Sequence, residues 1–355
     1  MAKVALSDRA IALLDCARAV AAIYVVVHHV AAARGWAAGL TGIPFRFGQE
    51  AVILFFLISG FVIFANEKDR ATTGFGYYYR RFRRIYPPLL VALLISTAVF
   101  WTNGTLAQNF SLRDLGLTLL NLQDISALKP GVLVDPYLGN DPLWSLSYEM
   151  AFYLVFPSVL TAWKRGRTAV TAAVGIVCTL AYVSFLYSPN HFSLIASYFL
   201  VWWCGAMAAE AYMEGARSFV GIPIALASLA LLTGASALGV VIEGFFGPGV
   251  HPFLEFRHFT VALLVVLVGF SPIGRLVASF ASQLSKPAKA VSAISYGIYV
   301  LHYPLLIQSN LTDSILGLLA MAILLVPLAY FADPYLNRVL PRWESVKLRL
   351  SPSAA

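Results

Sequence analysis

Ten stretches of the chain are apolar almost without interruption: residues 11–33, 48–66, 86–101, 144–163, 168–187, 193–213, 219–242, 258–274, 291–308 and 313–333. A helix needs about 20 apolar residues to cross about 30 Å of hydrocarbon. The pattern therefore predicts an all-α, polytopic helical bundle with about ten transmembrane helices. The longest polar interval, 102–142, is rich in Asn, Gly, Asp and Pro and too broken to cross, although Leu112–Leu122 reads as an interfacial helix. A short surface helix is expected between Arg275 and Lys289, and another in the tail after Asp333. No internal repeat, low-complexity tract or appended soluble domain interrupts this, so 1–340 reads as one membrane domain and 341–355 as a C-terminal tail.

Composition agrees with the pattern. Hydrophobic residues make up 59% of the 355 positions and charged residues only 12%, whereas soluble domains carry about 25% charged residues. The chain has 25 basic against 17 acidic residues. With the N-terminus placed in the cytoplasm, twenty of the 25 basic residues fall on cytoplasmic segments, and only Arg34, Arg46, Arg113, Lys129 and Arg257 fall outside. The even span count and this bias predict that both termini are cytoplasmic. A basic excess that follows the loops needs no nucleic-acid partner, and its partner is the lipid bilayer. Cys16, Cys178 and Cys204 all lie in apolar runs, imply no disulfide framework, and serve as small core residues. No metal is expected, since none of the histidines has zinc-ligand spacing. The first span contains Asp15 and Arg18 and lacks a cleavage signature, so it is expected to be retained.

Charges inside the apolar runs carry the candidate chemistry. Arg18 and His29 are eleven residues apart in the first span, a step of about 1100°, or three turns plus roughly 20°, so they share a face about 16 Å apart along the axis. Either each snorkels to its own headgroup layer or both look into a protein-lined groove. His28, about 80° away around the helix, points elsewhere. In LFFLISGFVI, Ser59-Gly60 reads as small-residue helix packing, and Glu50 is the better functional candidate. In YYYRRFRRIYPP, Arg80, Arg81, Arg83 and Arg84 either anchor the third span to anionic headgroups or dock a phosphate. Ser145, Glu149 and Tyr153 follow i, i+4 spacing and share a face of the fourth span, with Glu149 intramembrane. In the ninth span His302 lies one turn from Tyr299, as a packing or a functional residue. These groups sort into an inner layer of Arg18, Arg81 and Arg84 and an outer layer of Glu50, His29, Glu149 and His302.

The same stretches, in this order, resemble the acyltransferase-3 family of integral membrane O-acyltransferases. The resemblance rests on Arg18 and His29, on Phe55-Phe56 with Ser59-Gly60-Phe61, and on Arg80, Arg81, Arg84, Ile85 and Pro87. It rests further on Leu143 to Tyr153 and on Ser295, Tyr296, Tyr299 and His302. It departs from the family at Val52-Ile53, where many members are acidic before the Phe pair, and at Cys16-Ala17, where Gly-Leu is usual.

The resemblance implies transfer of an acyl group, notably acetyl, from a cytoplasmic acyl-CoA such as acetyl-CoA to a hydroxyl of an extracytoplasmic or lipid-linked glycan. Under that reading His29, Arg18 and Glu149 are catalytic. His29 acts as the base, Glu149 orients the imidazole or the acceptor, and Arg18 holds donor phosphate or polarises the thioester carbonyl. Arg18, Arg81 and Arg84 bind the acyl-CoA, and Glu50, Tyr153, Arg257 and His302 bind the acceptor. The alternatives are an acyltransferase acting on a lipid, protein or small-molecule hydroxyl, and a transporter, since intramembrane Arg, His and Glu also line transport paths.

Overall fold

The computed structural model describes residues 6–70, 74–215 and 221–343. Lys3, Arg217, Lys347 and Arg349, and most of the tail expected at 341–355, lie outside the described residues. The described elements are helical throughout. They are α1 (Asp8–Ala33), α2 (Gly48–Glu67), α3 (Phe75–Thr102), the short α4 (Leu106–Asn109) and α5 (Leu112–Leu119), α6 (Trp144–Arg165), α7 (Arg167–Tyr187) and α8 (His191–Met213). There follow α9 (Gly221–Ile242), α10 (Phe253–Gly269), α11 (Pro272–Gln283), α12 (Ser285–Tyr303), α13 (Ile315–Tyr330) and α14 (Leu336–Val339). Nine helices among the described residues are long and apolar enough to cross a membrane, and α10 with α11, bent by 80°, makes up to ten.

That bend replaces the single span expected at 258–274. Ser271 caps α11, its Oγ accepting from the Ile273 and Gly274 N–H groups at 3.1 and 3.4 Å, and Pro272 occupies the first helical position. Both are helix-start signals, so the chain begins a new helix rather than extending α10. α11 covers most of the interval in which a short helix is expected, beginning three residues before Arg275.

α8 is apolar on every side and forms the middle of the bundle, buried without a gap from Ser197 to Ala211. α2 lies against it more closely than large side chains would permit. A Cβ on Gly60 would overlap the Trp202 carbonyl oxygen, and one on Gly205 would overlap that of Leu57. Contact at this range gives the dispersion attraction that joins helices where water drives nothing. Around this crossing Phe56 stacks on Tyr148 and meets Phe152 edge to face, as Phe156 meets Trp202.

α1 packs against α12 and α2, and α11 lies along it. Val20, Ile23 and Val27, on the opposite side of α1, are exposed. This fixes α1 with one face toward lipid and the face carrying its charged groups toward α12.

The interval 102–142 is not a solvated loop. α5 begins where the interfacial helix was expected, but the chain then folds into the bundle and buries Gln123, Asp124, Lys129 and Asn140. Lys129 Nζ donates to Asp124 Oδ1 at 2.8 Å and lies 3.9 Å from the Trp144 ring centre, while the Tyr148 hydroxyl donates to Asp124 Oδ2 at 2.6 Å. Two opposite charges can be buried here because each has the other and the aromatic wall besides.

Candidate active site

α1, α2, α3, α6 and α12 surround a cavity of about 320 Å³. Its walls include Arg18, Arg81, Arg84, Glu149, Tyr153 and Tyr299. The first three turns of α3 place four arginines at one end, and acidic partners that sequence reasoning missed pair with three of them. Arg80 is forked onto Glu67, Nε to Oε1 at 3.1 Å and Nη2 to Oε2 at 2.6 Å. Arg84 pairs with Asp333 and stacks over the Tyr296 ring. Arg81 lies 3.6 Å from the same Glu67 and between the rings of Tyr77 and Tyr153, and Arg81 and Arg83 each keep a buried Nε without a hydrogen-bond partner. Arg18 reaches the cavity from α1, its Nη2 donating to Ser295 Oγ at 3.4 Å.

Ser145, Glu149 and Tyr153 all face this cavity, as their i, i+4 spacing requires. Ser59 donates to Glu149 Oε1 at 3.0 Å, and the Tyr153 hydroxyl donates to the same oxygen. Trp202 Nε1 donates to Ser59 Oγ at 3.2 Å, so α8 helps to hold the carboxylate. The two-layer grouping needs correcting here: Glu149 stands with Arg18 and Arg81, not with His29. Phe55 and Tyr299 form the wall between them, ring centres 6.0 Å apart, with the Tyr299 hydroxyl donating to Pro142 O at 2.6 Å.

His29 is not in the lining of that cavity. It lies beyond Tyr299, its Nδ1 3.0 Å from His302 Nε2, with the ring of Tyr303 edge-on at 5.1 Å. Arg18 and His29 thus share a face, both turned toward α12, but only Arg18 opens into the cavity.

Glu50 and Arg257 are farther out. They pair with each other, Nη2 to Oε1 at 2.5 Å, and Arg257 also donates to Pro248 O and Arg46 O, which ties together the connections flanking α2 and α10. Neither lines the cavity. His28 turns away to the Phe45 carbonyl, over Gly48, where a Cβ would overlap its ring.

The profile of the acyltransferase-3 family, an acyltransferase domain, matches residues 11–340. The chain belongs to this family. It is a multi-pass membrane acyltransferase, and every residue in the lining of the cavity falls inside the matched region. The acyltransferase is similar to nodulation protein 10 of Rhizobium leguminosarum bv. viciae, 26% identical over 72% of this chain and 71% of that protein. It is also similar to the O-acetyl transferase of Shigella phage Sf6, 25% identical over 82% of this chain and 83% of that one. To the peptidoglycan O-acetyltransferase OatA of Listeria monocytogenes it is 25% identical over 82% of this chain, which spans 49% of that protein. No solved structure matches.

Proposed function

We propose that this acyltransferase takes an acyl group, acetyl in the first instance, from acyl-CoA at its arginine-rich end and delivers it to a saccharide hydroxyl on the other side. The positive-inside bias supports a cytoplasmic side for the arginines and both termini. The observation that carries the reading is a single α1 face with Arg18 in a cavity holding five arginines and His29 just past the far wall.

The donor set fits a polyphosphate. Arg18, Arg80, Arg81, Arg83 and Arg84 line the cavity; Glu67 and Asp333 pair with Arg80, Arg81 and Arg84 from behind it, which leaves Arg18 and Arg83 without an ion-pair partner among the described residues. Guanidinium forks match phosphate oxygens two at a time. At about 320 Å³ the cavity is at the small end of ligand sites. It suits the pantetheine arm, with the nucleotide at the arginine mouth. Acyl-CoA supplies an activated carbonyl whose C–S bond breaks as the ester forms.

His29 takes the proton of the acceptor hydroxyl as its oxygen bonds to the carbonyl carbon, and returns it to the departing thiolate, so no net charge accumulates. General base catalysis of this kind contributes about 10²–10⁴-fold. Glu149, pinned through Oε1, offers its other oxygen to the amide N–H groups of the arm. Glu50 and Arg257 lie on the side from which the saccharide arrives. The names of the peptidoglycan and phage relatives, both O-acetyl transferases, support acetyl and hydroxyl as donor group and acceptor.

The test uses purified protein in nanodiscs with labelled acetyl-CoA and candidate envelope glycans. Label is expected in a base-labile ester on the glycan, and His29→Ala and Arg18→Ala each abolish it while eluting as folded protein. An active His29→Ala variant removes this mechanism, and label retained on the donor with every hydroxyl offered removes the transferase reading. The mass difference of surface polysaccharide between deletion and wild-type cells identifies the acceptor.

A further inference from the structure

We infer that His302 is a positioning residue: it fixes the tautomer of His29 so that the lone pair of His29 sits on Nε2, the nitrogen left for the acceptor. This rests on the reading of His29 as the base. The assignment follows from counting donors and acceptors. His302 is fully buried, and its Nδ1 lies 2.8 Å from Tyr299 O and 3.1 Å from Ile298 O. Carbonyl oxygens only accept, so that nitrogen carries a hydrogen. A neutral imidazole then has its lone pair on Nε2, which faces His29 Nδ1 at 3.0 Å. His29 Nδ1 must be the donor, and it is also 3.1 Å from a second acceptor, Val25 O.

The opposite assignment fails twice. It would put hydrogens on both nitrogens of His302, a full charge inside the bundle, and no carboxylate forms an ion pair with His302 among the described residues. It would also turn the Nδ1 lone pair of His29 onto the Val25 carbonyl lone pairs. The rings of His28 and Tyr303, 4.9 and 5.1 Å away, pack against His29 and oppose a ring flip.

The arrangement has the logic of a triad in which an orienting group takes the Nδ1–H of a basic histidine and leaves Nε2 to do the chemistry. The orienting group here is a neutral imidazole in place of a carboxylate. Its own hydrogen is spent on two backbone carbonyls of α12, which suits a site inside the bilayer, where an added carboxylate would need its own counter-charge. When His29 accepts the hydroxyl proton, the pair of rings holds one extra proton between them, with the α12 carbonyls at its far end.

The experiment compares His302→Leu, His302→Gln and His29→Ala in nanodiscs, each checked by size exclusion, with kcat and donor KM measured separately. Leu removes the acceptor and is expected to lower kcat by about 10²-fold, the scale of lost orienting partners, with donor KM within about twofold of wild type. Gln carries an Oε1 with the reach of Nε2 and is expected to restore kcat to within about tenfold of wild type. In ¹⁵N-histidine spectra, the His29 resonances, identified by their loss in His29→Ala, are expected to show protonated Nδ1 and bare Nε2 in the wild type and His302→Gln, and a tautomer mixture in His302→Leu. Wild-type kcat in His302→Leu with an inactive His29→Ala overturns this inference and leaves the base intact. An active His29→Ala overturns the base itself, and a His29 that is protonated on Nε2 in the wild type overturns the tautomer whatever the rates.

Discussion

Arg84 and Asp333 form an ion pair whose two halves are unequally buried, and the inequality predicts an order of stabilities. Asp333 is completely buried, while the side chain of Arg84 keeps 34% of its exposure on the cavity side. Besides Arg84, the carboxylate receives Asn337 Nδ2 at 3.2 Å on Oδ1 and the backbone N–H of Gly297, neither of which carries a charge. Arg84→Ala therefore strands a buried carboxylate, a loss of about 3–5 kcal/mol. Asp333→Ala strands a guanidinium that can take water from the cavity, and a pair with one exposed member costs nearer 1 kcal/mol. The double variant carries neither orphan and should lie within about 1 kcal/mol of Asp333→Ala, hence above Arg84→Ala. Denaturant unfolding in a single detergent, followed by tryptophan fluorescence, reads the order. With stability restored, the double variant also isolates the arginine's part in donor use. A charge-assisted phosphate contact of about 1.5–3 kcal/mol corresponds to about a 10–150-fold rise in donor KM over Asp333→Ala. An Arg84→Ala protein as stable as Asp333→Ala, or a double variant no better than Arg84→Ala, refutes the reasoning about burial. An unchanged donor KM refutes phosphate docking.

Three further outcomes follow from the packing. Gly60→Val forces a side chain into the Trp202 carbonyl, and overpacking of about 1–3 kcal/mol or more should appear as reduced folded yield after detergent extraction. Lys129→Met leaves Asp124 buried with Tyr148 as its remaining side-chain partner and should cost about 3–5 kcal/mol in the same unfolding assay, most of it recovered in Lys129→Met with Asp124→Asn. Phe55→Ala opens the wall between the cavity and His29 and should raise the use of propionyl and butyryl donors relative to acetyl, read as a ratio of kcat/KM values.

The helices were legible in the sequence because a span in lipid must be apolar along its whole length, and no tertiary contact overrides that. The break at Ser271-Pro272 was also written there, as a cap residue before a proline, but the apolar run continuing through Ile273 outweighed it. The shared face of Arg18 and His29 followed from helical period alone. What stands opposite each did not, because it depends on how α12 is turned, and nothing in one strand of text pairs Val25 and His29 with Ile298 and His302. Counting residues from the outer end of its helix puts Glu149 in the outer layer. That count ignored how far the chain from 120 to 143 folds inward and how Phe55 and Tyr299 close off the histidines. Asp333 escapes notice for a simpler reason: the last apolar run, 313–333, ends at that residue. The helical path in fact continues through α14, so the rule that singled out Glu149, an acid within a span, applied equally to Asp333.

The spacing of Arg18 and His29 also favours one of two roles the sequence leaves open for the arginine in the proposed reaction. The side chains of a helix all lean toward its N-terminus, so the guanidinium and imidazole keep roughly the 16 Å separation of their backbones. One thioester carbonyl cannot touch both. If His29 is the base, Arg18 does not polarise the bond being broken; it grips the donor at the other end of an extended pantetheine arm, beside Arg81 and the Ser295 hydroxyl. An arginine so placed still matters to the rate, because holding the far end of a long flexible arm keeps the thioester against the Phe55–Tyr299 wall, which must part before the imidazole can act, and positioning of this kind is worth several kcal/mol.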